Sequence, residues 1–435
     1  MIMRRLFLFL LLFGTLTVSA QKHIRLSTIG TPHSAWVGTW ATAPQVPVHA
    51  YMPFNNCMTH RSVRQVVKVS IGGDIIRLQL SNEYSSEPVV IKSVYIATAR
   101  DSSDIISETS RYLSFSGRRA VIIPAGKTVF SDAGRFPLEA LQRLAITINY
   151  VEAPKEPTVH MGSRTTSYIL EGASQPSTSF KRAFREEHWF NISALDVFDA
   201  GAHSLAILGN SITDGKGSTD NLQNRWPDIM SDYLNGPSPI SKLTAVSTQT
   251  GVLNLGIGNN RVLTVGFGSP GKDRFNRDIL EQRGVRDIIV FEGINDIGTS
   301  RDALTTARQL IEQYRIMIGK AHAHHLHIYG ATITPMKGCG YYTANHEAGR
   351  QMVNEWIRTS KEFDGVIDFD ELMRNPEEKE AMKKEWQSDW LHPNPSGYKE
   401  MGRYAAEKIK EFSIRFSKTS REEGHLRAYA PLRKD

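Results

Sequence analysis

The sequence predicts an α/β protein with a parallel sheet, preceded by an all-β region. Two observations predict this class: short alternating segments fill 36–190, and apolar strands alternate with helical segments from about 203 onward. The length adds a third, because 435 residues exceed what one hydrophobic core usually holds. We therefore expect two domains, at 35–192 and 200–412.

The first region combines period-2 alternation with frequent turns. Gly, Asn, Pro and Ser separate its segments, as at Gly72 and Gly73. This pattern is typical of a β-sandwich or jelly roll of about 150 residues. No grouping of Ser, His and an acid in it resembles a catalytic site, so we interpret it as an accessory domain. The predicted strands are Val63 to Ile71, Asp74 to Ser81, Pro88 to Ala97, Ala120 to Ile123 and Leu144 to Tyr150.

The second region alternates strands and helices, which predicts a parallel sheet covered on both faces. Its helical segments are 302–321, with apolar residues near a 3.6 period, then 345–359 and 396–412. In such sheets the chemistry lies at the carboxyl ends of the strands. The predicted strands are Leu205 to Leu208, Val252 to Leu255, Ile288 to Glu292, His327 to Ile333 and Val366 to Phe369.

The N-terminus has the three parts of a secretory signal peptide. Arg4 and Arg5 precede an apolar run, and Val18-Ser19-Ala20 forms a small-residue cleavage site. We expect residues 1–20 to be removed after Ala20 and the protein to be secreted or periplasmic. An uncleaved anchor is the alternative, but the run is shorter than the roughly 20 residues that span a bilayer. We expect no stable membrane insertion.

Composition and charge favour an ordinary globular protein. Hydrophobic residues make up 40% and charged residues 22%, and the net charge of +7 falls by two, to +5, once Arg4 and Arg5 are removed. Charged residues crowd 413–435, where we expect a disordered tail and no nucleic-acid partner. Cys57 and Cys339 are the two cysteines. They could form one disulfide or remain separate buried thiols.

Three motifs follow predicted strands or precede the last helix. Ser211 lies in a Gly-flanked turn, Gly209 to Gly215, which would present its hydroxyl at the sheet edge. Asn295 follows another strand, and its amide could donate to a developing oxyanion. Asp389 and His392 are spaced so that the carboxylate can meet Nδ1 while Nε2 points outward. The order predicts a Ser-His-Asp triad.

These motifs resemble the blocks of the SGNH (GDSL-type) hydrolases: a Ser in a GDS-type turn, an Asn in a G-x-N-D segment and a His in a D-x-x-H segment. The likeness covers roughly 203–412. It implies a flavodoxin-like three-layer catalytic domain, and the Gly38-Thr39-Trp40-Ala41 opening is similar to exported members grouped with carbohydrate esterases. The resemblance implies Ser211 as nucleophile, His392 as general base and Asp389 as its orienting acid.

Two positions depart from the family pattern. Asn210 replaces the acid that usually precedes the nucleophile, which keeps hydrogen bonding but loses the charge. In the Gly block, the alignment places the oxyanion donor at Asn259, with Gly258 as the alternative. The family donor is a backbone N–H, which Asn also carries, and Asn readily adopts positive φ. The expected oxyanion hole is therefore Ser211, Asn259 and Asn295.

Rival interpretations are weaker. Gly209 to Gly217 mimics a phosphate loop, but five residues separate Gly209 from Gly215, where that motif needs four, and Gly217 follows Lys216 where the motif needs Ser or Thr. The histidines of 322–327 lack a carboxylate or Cys framework for metal binding. A non-catalytic glycan-binding protein would be expected to lack Ser211, His392 or Asp389, and all three are present. We predict no cofactor and no metal.

The predicted activity is hydrolysis of short-chain carboxylic esters through an acyl-enzyme. The resemblance suggests O-acetyl groups on a polysaccharide or oligosaccharide as the substrate. A lipase or arylesterase of the same family is the alternative. The motifs contain nothing that recognises the alcohol part of the ester.

Overall fold

The computed structural model describes residues 35–237 and 249–428, except for the side chains of 56 and 417–428. The predicted signal peptide at 1–20 and the last seven residues of the predicted tail lie outside the described residues. No described helix is long and apolar enough to cross a membrane.

The first region is built from antiparallel strands, which confirms the predicted all-β region. One sheet has the order β1-β14-β3-β7, with β8 also on β3; the second has β12-β11-β2-β9-β4-β5, with β6 also on β4. β10 and β13 form a separate pair. Alternate residues of the strands, such as Leu78 and Ile146, are fully buried in a common core. The strands are β1 (Trp36–Ala41), β2 (Arg61–Lys68), β3 (Gly73–Ser81), β4 (Val89–Thr98), β5 (Arg111–Tyr112), β6 (Val121–Ile123), β7 (Thr128–Phe130), β8 (Gly134–Leu138), β9 (Arg143–Glu152), β10 (Val159–His160), β11 (Ser167–Glu171), β12 (Phe184–Glu186), β13 (Trp189–Phe190) and β14 (Ile192–Phe198).

The second region contains a five-stranded parallel sheet of order β16-β15-β17-β18-β19, with helices between the strands, as predicted. Its strands are β15 (His203–Gly209), β16 (Thr250–Gly256), β17 (Val285–Phe291), β18 (His327–Ala331) and β19 (Gly365–Ile367). Its helices are α1 (Ser211–Asp214), α2 (Trp226–Asn235), α3 (Gly271–Phe275), which continues as a π-helical turn, α4 (Ile294–Gly298), α5 (Ala303–Ala323), α6 (Ala344–Thr359), α7 (Phe369–Met373) and α8 (Pro395–Ala428).

Two predicted boundaries differ from the structure. β14 begins at Ile192 and pairs with β1 and β3, so the all-β region extends past the predicted limit of 192. Helix α8, predicted to end at Phe412, continues through Ala428. Phe412 and Phe416 lie one helical turn apart on its inner face, and the Phe416 ring stacks on His327 with centroids 4.1 Å apart. This packing explains why the helix passes 412.

β1 connects the two regions. It belongs to the first antiparallel sheet, yet Ala41 at its end packs into the core of the second region. The amide of Gly38 donates to the carbonyl of Arg283 over 2.9 Å, and the amide of Val252 on β16 donates to Ser70 Oγ over 2.9 Å. The all-β region is thereby held beside the parallel sheet.

The two cysteines are free thiols, each partly buried. Of the two alternatives left open by the sequence, the structure has the separate thiols.

Candidate active site

The turn after β15 presents Ser211. Asn210 caps α1, because its Oδ1 accepts the amide N–H of Ile212 over 3.0 Å. A Cβ on Gly209 would lie 2.1 Å from Thr213 Oγ1, so a residue with a side chain does not fit there. The close turn places Ser211 at the wall of a cavity at the carboxyl end of β15.

The structure brings Ser211, His392 and Asp389 together in one hydrogen-bonded chain. Ser211 Oγ lies 2.8 Å from His392 Nε2, and His392 Nδ1 lies 2.8 Å from Asp389 Oδ2. Asp389 Oδ1 also accepts the backbone N–H of His392 over 2.8 Å. Trp390 takes a left-handed backbone, φ 64°, which folds the loop back on itself. This geometry lets His392 accept the proton of Ser211 while Asp389 fixes the orientation of the ring.

The pKa shifts of Asp389 and His392 favour the protonation states in which His392 can accept the proton of Ser211. Burial opposes ionisation of Asp389, but hydrogen bonds from His392 outweigh it, so the pKa of Asp389 lies below its usual value. Burial lowers the pKa of His392, Asp389 raises it, and the charges of Lys216 and Arg164 lower it again, with a net lowering. A lowered pKa keeps His392 neutral, the form that accepts a proton.

Asn259 and Gly258 both line the cavity. Asn259 adopts φ 53°, the left-handed conformation that Asn tolerates better than most residues. Among the described residues, neither backbone amide has a hydrogen-bond acceptor. Both N–H groups are therefore available to an oxyanion, and the choice between the two positions stays open.

Asn295 also lines the cavity, at the start of α4. One N–H of its amide donates to the carbonyl of Asn260 over 2.8 Å, and its Oδ1 accepts the hydroxyl of Tyr341 over 3.2 Å. These bonds fix the amide, and its second N–H has no acceptor within the described part of the chain. Sequence reasoning missed Tyr341, which follows no motif.

A buried acid explains the departure at Asn210. Its Nδ2 donates to Glu292 Oε2 over 3.2 Å, and Arg274 Nη2 lies 3.6 Å from Glu292 Oε1. Burial raises the pKa of Glu292 to about 8, although Arg274 lowers it. An Asp at 210 would place a second acid beside this buried one, whereas Asn supplies a donor.

The cavity beside Ser211 has a volume of about 660 Å³ and one wall from the all-β region. That wall was missed by the sequence analysis, which found no site there. The residues that contribute it are Gln45, Val48, Tyr51, Met161, Gly162, Arg164 and His188; the other lining residues are Ser211, Asp214, Lys216, Gly258, Asn259, Phe267, Asn295, Tyr341, Leu391 and His392.

His160, on β10, joins this wall to the nucleophile turn. Its Nε2 lies 2.9 Å from Asp214 Oδ1, and its Nδ1 lies 2.9 Å from the carbonyl of Ala43, with both side chains of the pair 2% exposed. The ring of His160 therefore connects the Asp214 carboxylate to the backbone just after β1. Asp214 lies three residues after Ser211, so the all-β region supports the nucleophile turn directly.

In the structure, two histidines of 322–327 have different carboxylate partners. His322 lies 3.0 Å from Asp364, and His327 lies 3.3 Å from Asp287. Among the described side chains of 35–237 and 249–416, no group of three His, Cys, Asp or Glu residues is arranged to hold a metal ion.

The comparisons with known proteins agree with the motifs. A family model described as the GDSL-like Lipase/Acylhydrolase family matches residues 207–400. The search of curated proteins gave no match.

Solved structures with a similar fold each cover about half of this chain. They include a GDSL-like lipase from Bacteroides thetaiotaomicron VPI-5482, with 16% identity, 48% of this chain and 86% of that chain covered, and a TM-score of 0.33. The psychrotrophic esterase EstA from Pseudoalteromonas sp. is 12% identical, with 49% of this chain and 99% of that chain covered and a TM-score of 0.35. An acetyl xylan esterase is 17% identical, with 48% of this chain and 98% of that chain covered and a TM-score of 0.34.

Proposed function

We propose that this chain is an exported serine esterase that removes short acyl groups, above all O-acetyl groups, from polysaccharides or oligosaccharides, because residues 207–400 match the family model of GDSL-like lipases and acylhydrolases. The observation that carries the proposal is the hydrogen-bonded chain from Ser211 through His392 to Asp389. Export rests on the signal-peptide pattern of 1–20.

In the proposed reaction, Ser211 Oγ attacks the ester carbonyl as His392 Nε2 takes its proton. The N–H groups of Ser211 and Asn259 and the free N–H of the Asn295 amide stabilise the negative oxygen. His392 then gives the proton to the leaving alcohol, and an acyl-enzyme remains on Ser211. Water, deprotonated by the same imidazole, attacks the acyl-enzyme. The imidazolium then returns the proton to Ser211 Oγ as the bond to the acyl group breaks and the acid is released.

The lining of the cavity favours a polar alcohol. Gln45, Arg164 and Lys216 bring amide and charged groups to it. Tyr51 and Phe267 also line it and remain 63% and 44% exposed, so their rings are free to stack against a sugar ring. A long acyl chain would instead require a continuous apolar channel.

The test of the proposed activity is Ser211→Ala in the mature chain. Hydrolysis of 4-nitrophenyl acetate and release of acetate from acetylated xylan should be lost, while the melting temperature stays native-like, because one hydroxyl and no core volume is removed. The matched control is Ser396→Ala, an exposed serine at the start of α8, which should keep full activity. Activity retained in a folded Ser211→Ala variant would contradict the nucleophile.

Two further measurements test the finer parts. EDTA should leave activity unchanged, because a serine triad generates its nucleophile without a metal. Acetate esters should have a higher kcat/KM than octanoate esters. Loss of activity in EDTA that zinc restores would refute the metal-free mechanism, and a preference for octanoate would place the chain among lipases.

A further inference from the structure

Two cations line the cavity, one from each region of the chain. Arg164 lies in the loop between β10 and β11, and Lys216 follows α1 directly. Lys216 is exposed and forms no ion pair within the described ranges. The Nε of Arg164 is buried without an acceptor there, and its Nη2 comes only within 4.0 Å of Asp214 Oδ2. Both side chains retain donors for a ligand.

Asp214 is the one carboxylate among the residues that line the cavity. Its Oδ1 lies 2.9 Å from His160 Nε2, while its buried Oδ2 has no hydrogen-bond partner and lies 4.0 Å from Arg164 Nη2. Asp389 accepts from His392 and does not line the cavity. His188 faces the carbonyls of Met161 and Tyr51 with its two nitrogens and lies 3.3 Å from Glu186. The charges of Arg164 and Lys216 therefore exceed the negative charge that faces the cavity.

The position of the two cations relative to the reaction indicates which part of the ester they meet. His392 gives its proton to the leaving alcohol, so the alcohol must lie beside His392. Arg164 and Lys216 line the same cavity as His392, and their charges disfavour its protonated form. The acyl oxygen instead faces Asn259 and Asn295. The cations thus lie on the alcohol side.

The backbone around Arg164 is held in place. Arg164 has φ 50°, and its carbonyl accepts the amide N–H of Asn221 over 2.9 Å. Next to it, a Cβ on Gly162 would lie 1.9 Å from Asp214 Oδ2, so the loop can approach the nucleophile turn only with glycine at 162. A fixed loop reduces the entropy lost when a ligand binds its guanidinium.

From this arrangement we propose that the alcohol part of the substrate carries a carboxylate, so that the preferred substrate is an O-acylated acidic sugar. Arg164 and Lys216 would both bind the carboxylate, and guanidinium suits two parallel hydrogen bonds to it. Tyr51, on the same wall, would lie against the sugar ring. This inference rests on the proposed esterase activity and specifies its substrate class.

The experiment compares two forms of one substrate. The mature chain is assayed for acetate release from an O-acetylated galacturonate oligosaccharide and from the same oligosaccharide with its carboxylates methylated. The free acid should have a kcat/KM roughly tenfold higher at low salt, because a charge-assisted hydrogen bond contributes about that factor. The ratio should fall as salt is added. An O-acetylated sialoside and its methyl ester form a second arm, to identify which acidic sugar carries the carboxylate.

The variants Arg164→Gln and Lys216→Gln should each lower the acid-to-ester ratio, with a larger fall in the double variant, and Arg164→Lys should restore part of it. Lys92→Gln, an exposed lysine on β4 outside the cavity, is the matched control and should leave the ratio unchanged. If Arg164→Gln does not fold, Lys216→Gln and the salt series still test the proposal.

The inference is overturned if both arms give equal kcat/KM for acid and methyl ester, or if the ratio persists in the double variant. A different result would refute the esterase proposal itself, namely that the unaltered chain does not hydrolyse 4-nitrophenyl acetate. An enzyme that cleaves this neutral ester but does not distinguish acid from methyl ester would refute the substrate class and leave the activity intact.

Discussion

The two regions of the molecule contribute different parts of one site. The α/β region supplies Ser211, His392 and Asp389, each on a turn at the end of a strand or before a helix. The all-β region supplies a wall with Arg164 and the buried partner of Asp214, His160. The predicted reacting groups thus come from short contiguous motifs, while one wall of the cavity comes from a region without such motifs. Variants in each region should separate the two contributions.

The largest effect is expected from Asp389→Asn in the α/β region. The amide keeps the volume but not the charge that orients His392, so kcat should fall on the order of 10³ to 10⁴. The carboxylate is 47% exposed, so folding should survive. Asp364→Asn is the matched control, because Asp364 also accepts from a histidine, His322, but far from the cavity lining. Near-normal kcat in Asp389→Asn would exclude its role.

The second prediction concerns the link between the regions. His160→Leu leaves the carboxylate of Asp214 buried without its partner, which should lower the free energy of unfolding by about 3–5 kcal/mol. Urea denaturation measures this loss. Adding Asp214→Asn should recover part of the stability, because it removes the uncompensated charge. An unchanged unfolding midpoint in His160→Leu would mean that the all-β region does not support the nucleophile turn.

The third prediction distinguishes Asn259 from Gly258 as the oxyanion donor. Asn259→Pro removes the N–H and fixes φ near roughly −65°, against the observed 53°, so kcat should fall on the order of 10² to 10³. Asn259→Gly should retain activity, because it keeps the donor and tolerates positive φ. Asn259→Ala should lie between them. Full activity in a folded proline variant would assign the donor to Gly258.

The smallest effect is expected in the pH profile. Activity falls as His392 becomes protonated, and burial together with Lys216 and Arg164 lowers its pKa, so the acid limb of kcat/KM should lie below the usual histidine value of roughly 6.5. Lys216→Gln removes one repelling charge and should move the limb to higher pH by less than one unit. Lys92→Gln should not move it. A shift to lower pH would contradict this electrostatic account.

The sequence predicted an all-β region followed by an α/β region, and it predicted that Ser211 lies in a turn after a strand. These features depend on local periodicity and on contiguous motifs. Asp389 and His392 are three residues apart, so their spacing already indicated that they could meet. His160 and Arg164 could not be found in this way. They lie some 50 residues before Ser211 and reach it through the packing of β10 against the nucleophile turn.

Other misses have the same kind of cause. The sequence revealed that Asn210 is unusual, but its partner Glu292 follows a different strand. The end of α8 depends on Phe416 stacking against His327, a contact between residues almost 90 positions apart. Local periodicity does not report contacts that the tertiary structure creates.

Strand β1 limits how early the all-β region can fold and where the chain can be divided. Trp36 pairs with Phe198, so the first strand cannot be placed until nearly the whole all-β region has been synthesised. Ala41 at the end of the same strand, and Ala43 just after it, then pack into the core of the region that follows. Cutting the chain near residue 200 would strip a layer from that core and expose it to solvent and aggregation. The α/β region is therefore a poor candidate for expression or gene fusion by itself, and recombination should exchange the two regions together.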